Sequence, residues 1–211
     1  MKKLLIVLSI LLPVISFSQE KFDLGVKSGV NLTTLIGDGE FVSEGSEMSV
    51  GYVAGLDFGY LISDNFSLRS GLEFKKSKIK NYYPTSLVQA YLYSDFNYIS
   101  IPLKFRIITN GKTKMFFEVG AYANYLLKQF YSSRLEIGGV PFYAENTNDF
   151  NRLDYGLLIG FGVSYCLFEN FNVSASLNDE YILNKINNDI YFSGDLHMNN
   201  IMILIGTNYS F

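Results

Sequence analysis

Period-two alternation dominates this chain from residue 22 onward, and the strand is the element in which neighbouring side chains point to opposite faces. Eight segments carry it: 22–33, 50–62, 66–78, 97–108, 114–128, 154–168, 171–181 and 199–211. In the fifth, Met115, Phe117, Val119, Ala121, Ala123, Tyr125 and Leu127 form an apolar set. Between them stand Phe116, Glu118, Gly120, Tyr122, Asn124 and Leu126. Over the even positions of 22–32, 50–62 and 66–74 and the odd positions of 99–107, 115–127, 155–167, 171–177 and 201–211 this face holds no charge, and only Ser28, Ser70 and Thr207 interrupt its apolar character. The opposite face carries Asp23, Lys27, Asp57, Arg69, Glu73, Lys75, Lys104, Arg106, Glu118 and Asp154.

Such alternation suits a soluble barrel with an apolar centre or a membrane barrel with an apolar outside. Three features select the second. Eleven of the 18 glycines lie in these segments, Gly25, Gly55, Gly120 and Gly160 among them, and all fall on the charged face. A narrow barrel needs small residues on its concave side. Aromatics recur near one end of the apolar face: Phe22, Tyr60, Phe66, Phe105, Phe117, Tyr165, Phe171, Tyr209 and Phe211. Tyr52, Phe74, Tyr125 and Tyr155 lie near the other end, as in the two girdles of a membrane barrel. Short connections (63–65, 109–113, 169–170) alternate with long ones (37–49, 83–95, 129–150, 183–198), matching periplasmic turns and extracellular loops. The expected fold is all-β, an eight-stranded antiparallel up-and-down transmembrane barrel. The first aromatic set is its periplasmic-side girdle. The final strand, "IMILIGTNYSF", is expected to close against the first, so that Phe211 is held rather than frayed.

The amino terminus fits that destination. Lys2 and Lys3 precede an uncharged apolar run, Leu4 to Val14, followed by small residues at Ser16 and Ser18. This is the pattern of a cleaved secretory signal peptide, residues 1–18, leaving 19–211 as the barrel domain. After residue 18 no apolar stretch approaches the roughly 20 residues of a spanning helix. Cys166 is the one cysteine, which excludes an intrachain disulfide and a cysteine metal cluster. A net charge of −3 argues against nucleic acid as a partner.

Eight strands leave an interior about wide enough for side chains to fill. The inward charges are therefore expected to pair as an interior ionic network: Lys27, Asp57, Arg69, Glu73, Lys75, Lys104, Arg106, Glu118 and Asp154, with Asp23. A bare charge there would cost more than it recovers. The functional alternative is a proton or ion path. Pro102 interrupts the fourth segment, where a proline removes a ladder donor and marks a bulge.

"YISIPLKFRI" (98–107) resembles the Tyr-x-Glu-Ile-Pro-Leu strand of the PorT-like outer-membrane β-barrel family. "FFEVGAYANYLL" (116–127) is similar to that family's Glu-x-Gly strand, and "DYGLLIGFGVSY" (154–165) to its Asp-x-Gly…Gly-x-Gly strand. Ser100 stands where the family usually has Glu. The resemblance implies an eight-stranded barrel in the outer membrane, and some members are linked to protein secretion.

Catalysis would have to use His197, the one histidine, in "GDLHMNN" with Asp189, Ser193 and Asp195 nearby. No Gly-x-Ser-x-Gly turn is present. No catalytic residues, cofactor or metal are assigned, although the Asn-rich stretches "NTNDFN" (146–151) and "INNDI" (186–190) have oxygen ligands for Ca²⁺ or cation-bridged lipopolysaccharide. The Tyr-rich stretch 81–98 reads as an extended hairpin, with an adhesive patch as the alternative. Cys166 reads as an inward filler. The expected function is that of a non-enzymatic outer-membrane protein acting through its extracellular loops or envelope structure. Its partners would be outer-membrane lipid and lipopolysaccharide, the barrel-assembly machinery and a protein at the loops. The alternatives are a secreted soluble barrel binding a small apolar ligand and a lipid-modifying outer-membrane enzyme centred on His197.

Overall fold

The computed structural model describes residues 21–37, 46–84, 89–135, 142–187 and 195–211. The proposed signal segment, together with Asp189 and Ser193, lies outside them. The strands are β1 (Phe22–Gly37), β2 (Ser46–Ser63), β3 (Phe66–Pro84), β4 (Gln89–Ile108), β5 (Thr113–Leu135), β6 (Phe142–Glu145), β7 (Leu153–Phe168), β8 (Phe171–Ile182) and β9 (Leu196–Ser210). Eight of them form a ring of antiparallel neighbours, β1-β2-β3-β4-β5-β7-β8-β9, which closes where β9 returns to β1. Asp23 lies opposite Ser210 and Gly37 opposite Leu196, so the closing seam runs the full length of β1. The Phe211 amide donates to the Phe22 carbonyl at 3.0 Å. Short β6 lies on β5 above the point where β7 pairing stops at Tyr125 and Leu153.

The strands form because alternation meets two different surroundings. Leu56, Ile101, Val119 and Ile203 are 44, 53, 49 and 51% exposed, while Glu118 and Arg106 are 1 and 8% exposed. Apolar side chains therefore face outward and charges inward. That rules out the soluble-barrel alternative, which needs the reverse.

Two groups of connections define the ends. The lower end has the tight turns: Asp64 and Asn65 between β2 and β3, residues 109–112 between β4 and β5, and Glu169 and Asn170 between β7 and β8. In the middle one Gly111 takes φ +118°, a left-handed conformation that only glycine adopts without strain. Asn65 Nδ2 donates to the Ile108 carbonyl at 2.8 Å and binds neighbouring turns together. Inside the ring, glycine permits close approach. A Cβ on Gly120 would strike the Leu103 carbonyl, and one on Gly156 would strike the Tyr181 carbonyl and the Tyr122 ring.

Pro102 corrects an expectation. The β3–β4 register is the same on either side of it, so it makes no bulge. Its carbonyl accepts from Ser70 Oγ at 2.8 Å instead. This bond also explains how a hydroxyl sits on the apolar outer face: it is already satisfied. The bulges fall elsewhere, at Met48/Tyr52, Leu61/Ser63, Asn97/Tyr98 and Cys166/Phe168. Residues 81–98 contain the hairpin of β3 and β4, pairing down to Pro84 and Gln89.

Towards the upper end the strands outrun the expected segments, and the alternation changes sign. On β3 the outward positions become Lys76, Lys78 and Lys80 while Ile79 turns inward. Leu35, Phe96, Leu126, Ile182, Leu196 and Met198 are buried inside at this level with Ile79. Phe150, from the connection before β7, and Ile186, from the one after β8, insert among them.

Candidate functional site in the barrel interior

The interior has three layers of different chemistry. In the lower half, side chains from β1, β2, β3, β4 and β5 make one connected ionic network. Arg69 is its hub: Nη1 and Nη2 donate to Asp23 at 2.9 and 2.6 Å, and Nε donates to Asp57 at 2.9 Å. Lys27 Nζ reaches Glu73 at 2.6 Å and Asp57 at 3.4 Å. Lys104 Nζ bonds Glu118 at 2.9 Å and stands 4.0 Å from Asp57. Arg106 Nε donates to Glu118 at 2.6 Å, and its guanidinium lies over the Phe116 ring at 4.0 Å. Asn208 Nδ2 donates to both Asp23 and Asp57 at 3.3 Å. Four cations meet four carboxylates here, with further hydrogen bonds on the same oxygens, the condition under which buried charge is tolerated.

Two of the expected network members lie apart. Lys75 pairs across the barrel with Glu180, both fully buried, and its ammonium lies 5.1 Å from the Tyr122 ring centre. Asp154 accepts from Asn184 Nδ2 at 3.2 Å and has no ion pair among the described residues. Beside them runs a neutral layer: Asn31 Nδ2 donates to Ser77 Oγ at 2.9 Å and Thr33 Oγ1 to Asn200 Oδ1 at 2.9 Å. Ser100 Oγ, Tyr122 Oη and Glu180 Oε1 are buried without a hydrogen-bond partner among the described residues. Buried polar atoms of this kind are ordinarily met by ordered water.

Above that layer the apolar cap seals the interior. Phe96 meets Phe150 edge to face at 4.9 Å. The two connections that supply Phe150 and Ile186 are laced to each other: the Asn151 amide donates to the Ile186 carbonyl at 2.9 Å and Asn151 Nδ2 to the Lys185 carbonyl at 2.8 Å. Glu180, Lys114 and this cap are parts of the interior that sequence reasoning did not name.

The lower aromatic set is outside. Phe22 faces Tyr60 across β1–β2 with ring centres 5.0 Å apart, Phe66 and Phe105 are 5.9 Å apart, and Tyr209 meets Phe211 at 5.1 Å. Phe117 lies opposite Phe161 and Tyr165 opposite Val173, and Phe171 pairs with Tyr209, so the set follows the lower rim. The upper set stands eight residues higher on β2 and β3, where Tyr52 and Phe74 are 5.9 Å apart. Eight residues span about 26 Å of strand, near the height of an apolar barrel belt once tilted.

The remaining candidates are scattered. His197 occupies an outward position of β9, and Asp195 stands 3.8 Å from Lys185. In the 146–151 stretch Thr147–Asp149 forms a single 3₁₀ turn, and Asn148 Oδ1 accepts from Arg152 at 3.2 Å. No cluster of three or more His, Cys, Asp or Glu suited to a metal occurs among the described residues. Cys166 is half-buried at the lower end, its thiol donating to the Phe168 carbonyl at 3.0 Å.

A family model described as "Outer membrane protein beta-barrel domain" matches residues 17–181. Among solved structures, OprG from Pseudomonas aeruginosa is 14% identical, with 90% of this chain and 96% of that chain covered and a TM-score of 0.50. Neisserial surface protein A is 19% identical, covers 89% of this chain and 97% of its own, and has a TM-score of 0.46. Ail, the attachment invasion locus protein of Yersinia pestis, is 15% identical, at 90% and 99% coverage and a TM-score of 0.44. At such identities the likeness is one of fold. No curated protein matches.

Proposed function

The chain belongs to the outer membrane protein β-barrel domain family and resides in the bacterial outer membrane, and on that premise we propose that it is a non-enzymatic barrel with a filled interior, working through its extracellular loops or as envelope structure. One observation carries this reading. The ion network below and the Phe150–Ile186 cap above close the lumen in series, so the rims and loops are the parts free to meet partners. In this proposal the short-turn end faces the periplasm, the lower aromatic girdle lies in the inner interface, and outer-membrane lipid with lipopolysaccharide surrounds the belt. Residues 1–18 act as a removable export signal, and the assembly machinery engages the closing strand β9. Placement among PorT-like barrels, with their link to secretion, rests on the motifs in β4, β5 and β7. The serine at position 100 is buried in the lumen, so a role for a carboxylate there does not transfer.

Planar lipid bilayers test the filled interior: purified protein is expected to give no steady unitary conductance. Regular open-channel steps from the wild-type chain would overturn it. The enzymatic alternative is decided by H197A, since lipid turnover that disappears with this substitution would replace the present reading.

A further inference from the structure

Below the ion network the barrel is hollow. An open polar cavity of about 560 Å³ lies inside the lower rim, within the volume range of small-molecule sites. Its lining includes the donors Arg106, Lys114, Ser164, Asn172 and Lys21, while Asn208 is already committed to Asp23 and Asp57. Asp23 and Arg69 also border it, but Arg69 is committed to Asp23 and Asp57, which leaves that carboxylate neutralised. Asp64 is the remaining acid of the lining and sits out in the exposed turn.

Arg106 is held differently. Glu118 takes its Nε and Nη2, and Phe116 supports its flat face, while Nη1 has no protein partner among the described residues. The guanidinium is thus fixed in orientation before any ligand arrives, which lowers the ordering cost of binding. Lys114 occupies the first inward position of β5, on the same face as Phe116 and Glu118, and has no ion pair among the described residues. A planar fork and a point charge, surrounded by amides and hydroxyls, form a donor set for an oxygen-rich anion. Low-dielectric walls concentrate that positive field. Among the described residues the cap blocks entry from above, and the vestibule opens at the short-turn end.

We propose that this vestibule is an oxyanion-binding site, taking a carboxylate or phosphate group on Arg106 and Lys114 and loaded from the periplasm. The binding stands on the cavity alone, and the direction of loading rests on the orientation proposed above.

The test uses the full mature barrel in zwitterionic micelles at low salt, titrated with inorganic phosphate and followed by amide NMR shifts. Saturable shifts are expected around 106, 114, 164 and 172. K114Q is expected to weaken binding roughly tenfold, the loss of one charge-assisted contact, whereas K128Q at the upper end changes nothing. R106K keeps the network's charge but loses the fork, and weakens binding while the barrel stays folded. A capped tripeptide with a free carboxyl terminus, set against its amide, separates the two sources. Saturation by the free acid alone assigns a carboxylate ligand, and saturation by phosphate alone assigns a phosphate one. No saturation by either, or equal affinity in K114Q and the wild type, overturns the site. Sidedness is read separately: an impermeant amine reagent on intact cells is expected to reach Lys128 and not Lys114. The reverse would overturn periplasmic loading while leaving the micelle result intact.

Discussion

Lys75 and Glu180 face each other across the lumen with no exposed side-chain surface. Removing one partner strands the other as a bare buried charge, at a cost of about 3–5 kcal/mol, whereas apolar replacement of both is near neutral. K75M and E180L are therefore each expected to lower the urea midpoint of unfolding sharply, and the double variant to recover most of the loss. Independent, additive losses in the two single variants would show that the pair carries no coupling. Arg69 represents the opposite situation, since two carboxylates converge on it and no single apolar substitution balances its removal.

Along β4 the Pro102 carbonyl is satisfied by the Ser70 hydroxyl, so S70A is expected to cost about 1 kcal/mol, measured by urea titration of the folded gel band. An unchanged midpoint would mean the bond contributes nothing. The strands themselves were legible where one face is apolar: the expected starts at 22, 66 and 171 coincide with those observed. Their upper ends were not, because there the inner face becomes the apolar one, and Ile79, Phe96 and Met198 continue the period with reversed sign. Glu180 escaped notice for a related reason. Beyond Leu177 the parity is ambiguous, because Asp179 and Glu180 are both charged and Tyr181 and Ile182 are both apolar, one of each on either face. Lys114 stands at a strand start, where the last turn residue and the first inward residue look alike. Phe150 and Ile186 lie in connections with no period, and only tertiary packing draws them inside. The lower ionic network was readable because parity alone sends its members to one face.

As a whole the molecule is a ring with no unpaired edge among its eight long strands, and in hydrocarbon an unpaired backbone group costs several kcal/mol. Unboiled protein is expected to migrate differently from boiled protein in detergent gels, and to stay with membranes through carbonate extraction. Equal migration, or release into the soluble fraction, would count against a closed transmembrane ring. The mass of the folded band is expected to begin at Gln19. The seam between β1 and β9 has a temporal meaning as well. The first strand exported finds its second neighbour only when the last one arrives, so no shorter portion of the chain can be finished and left behind in the bilayer. Closure therefore waits for delivery of β9, and until then β1 has one edge unpaired.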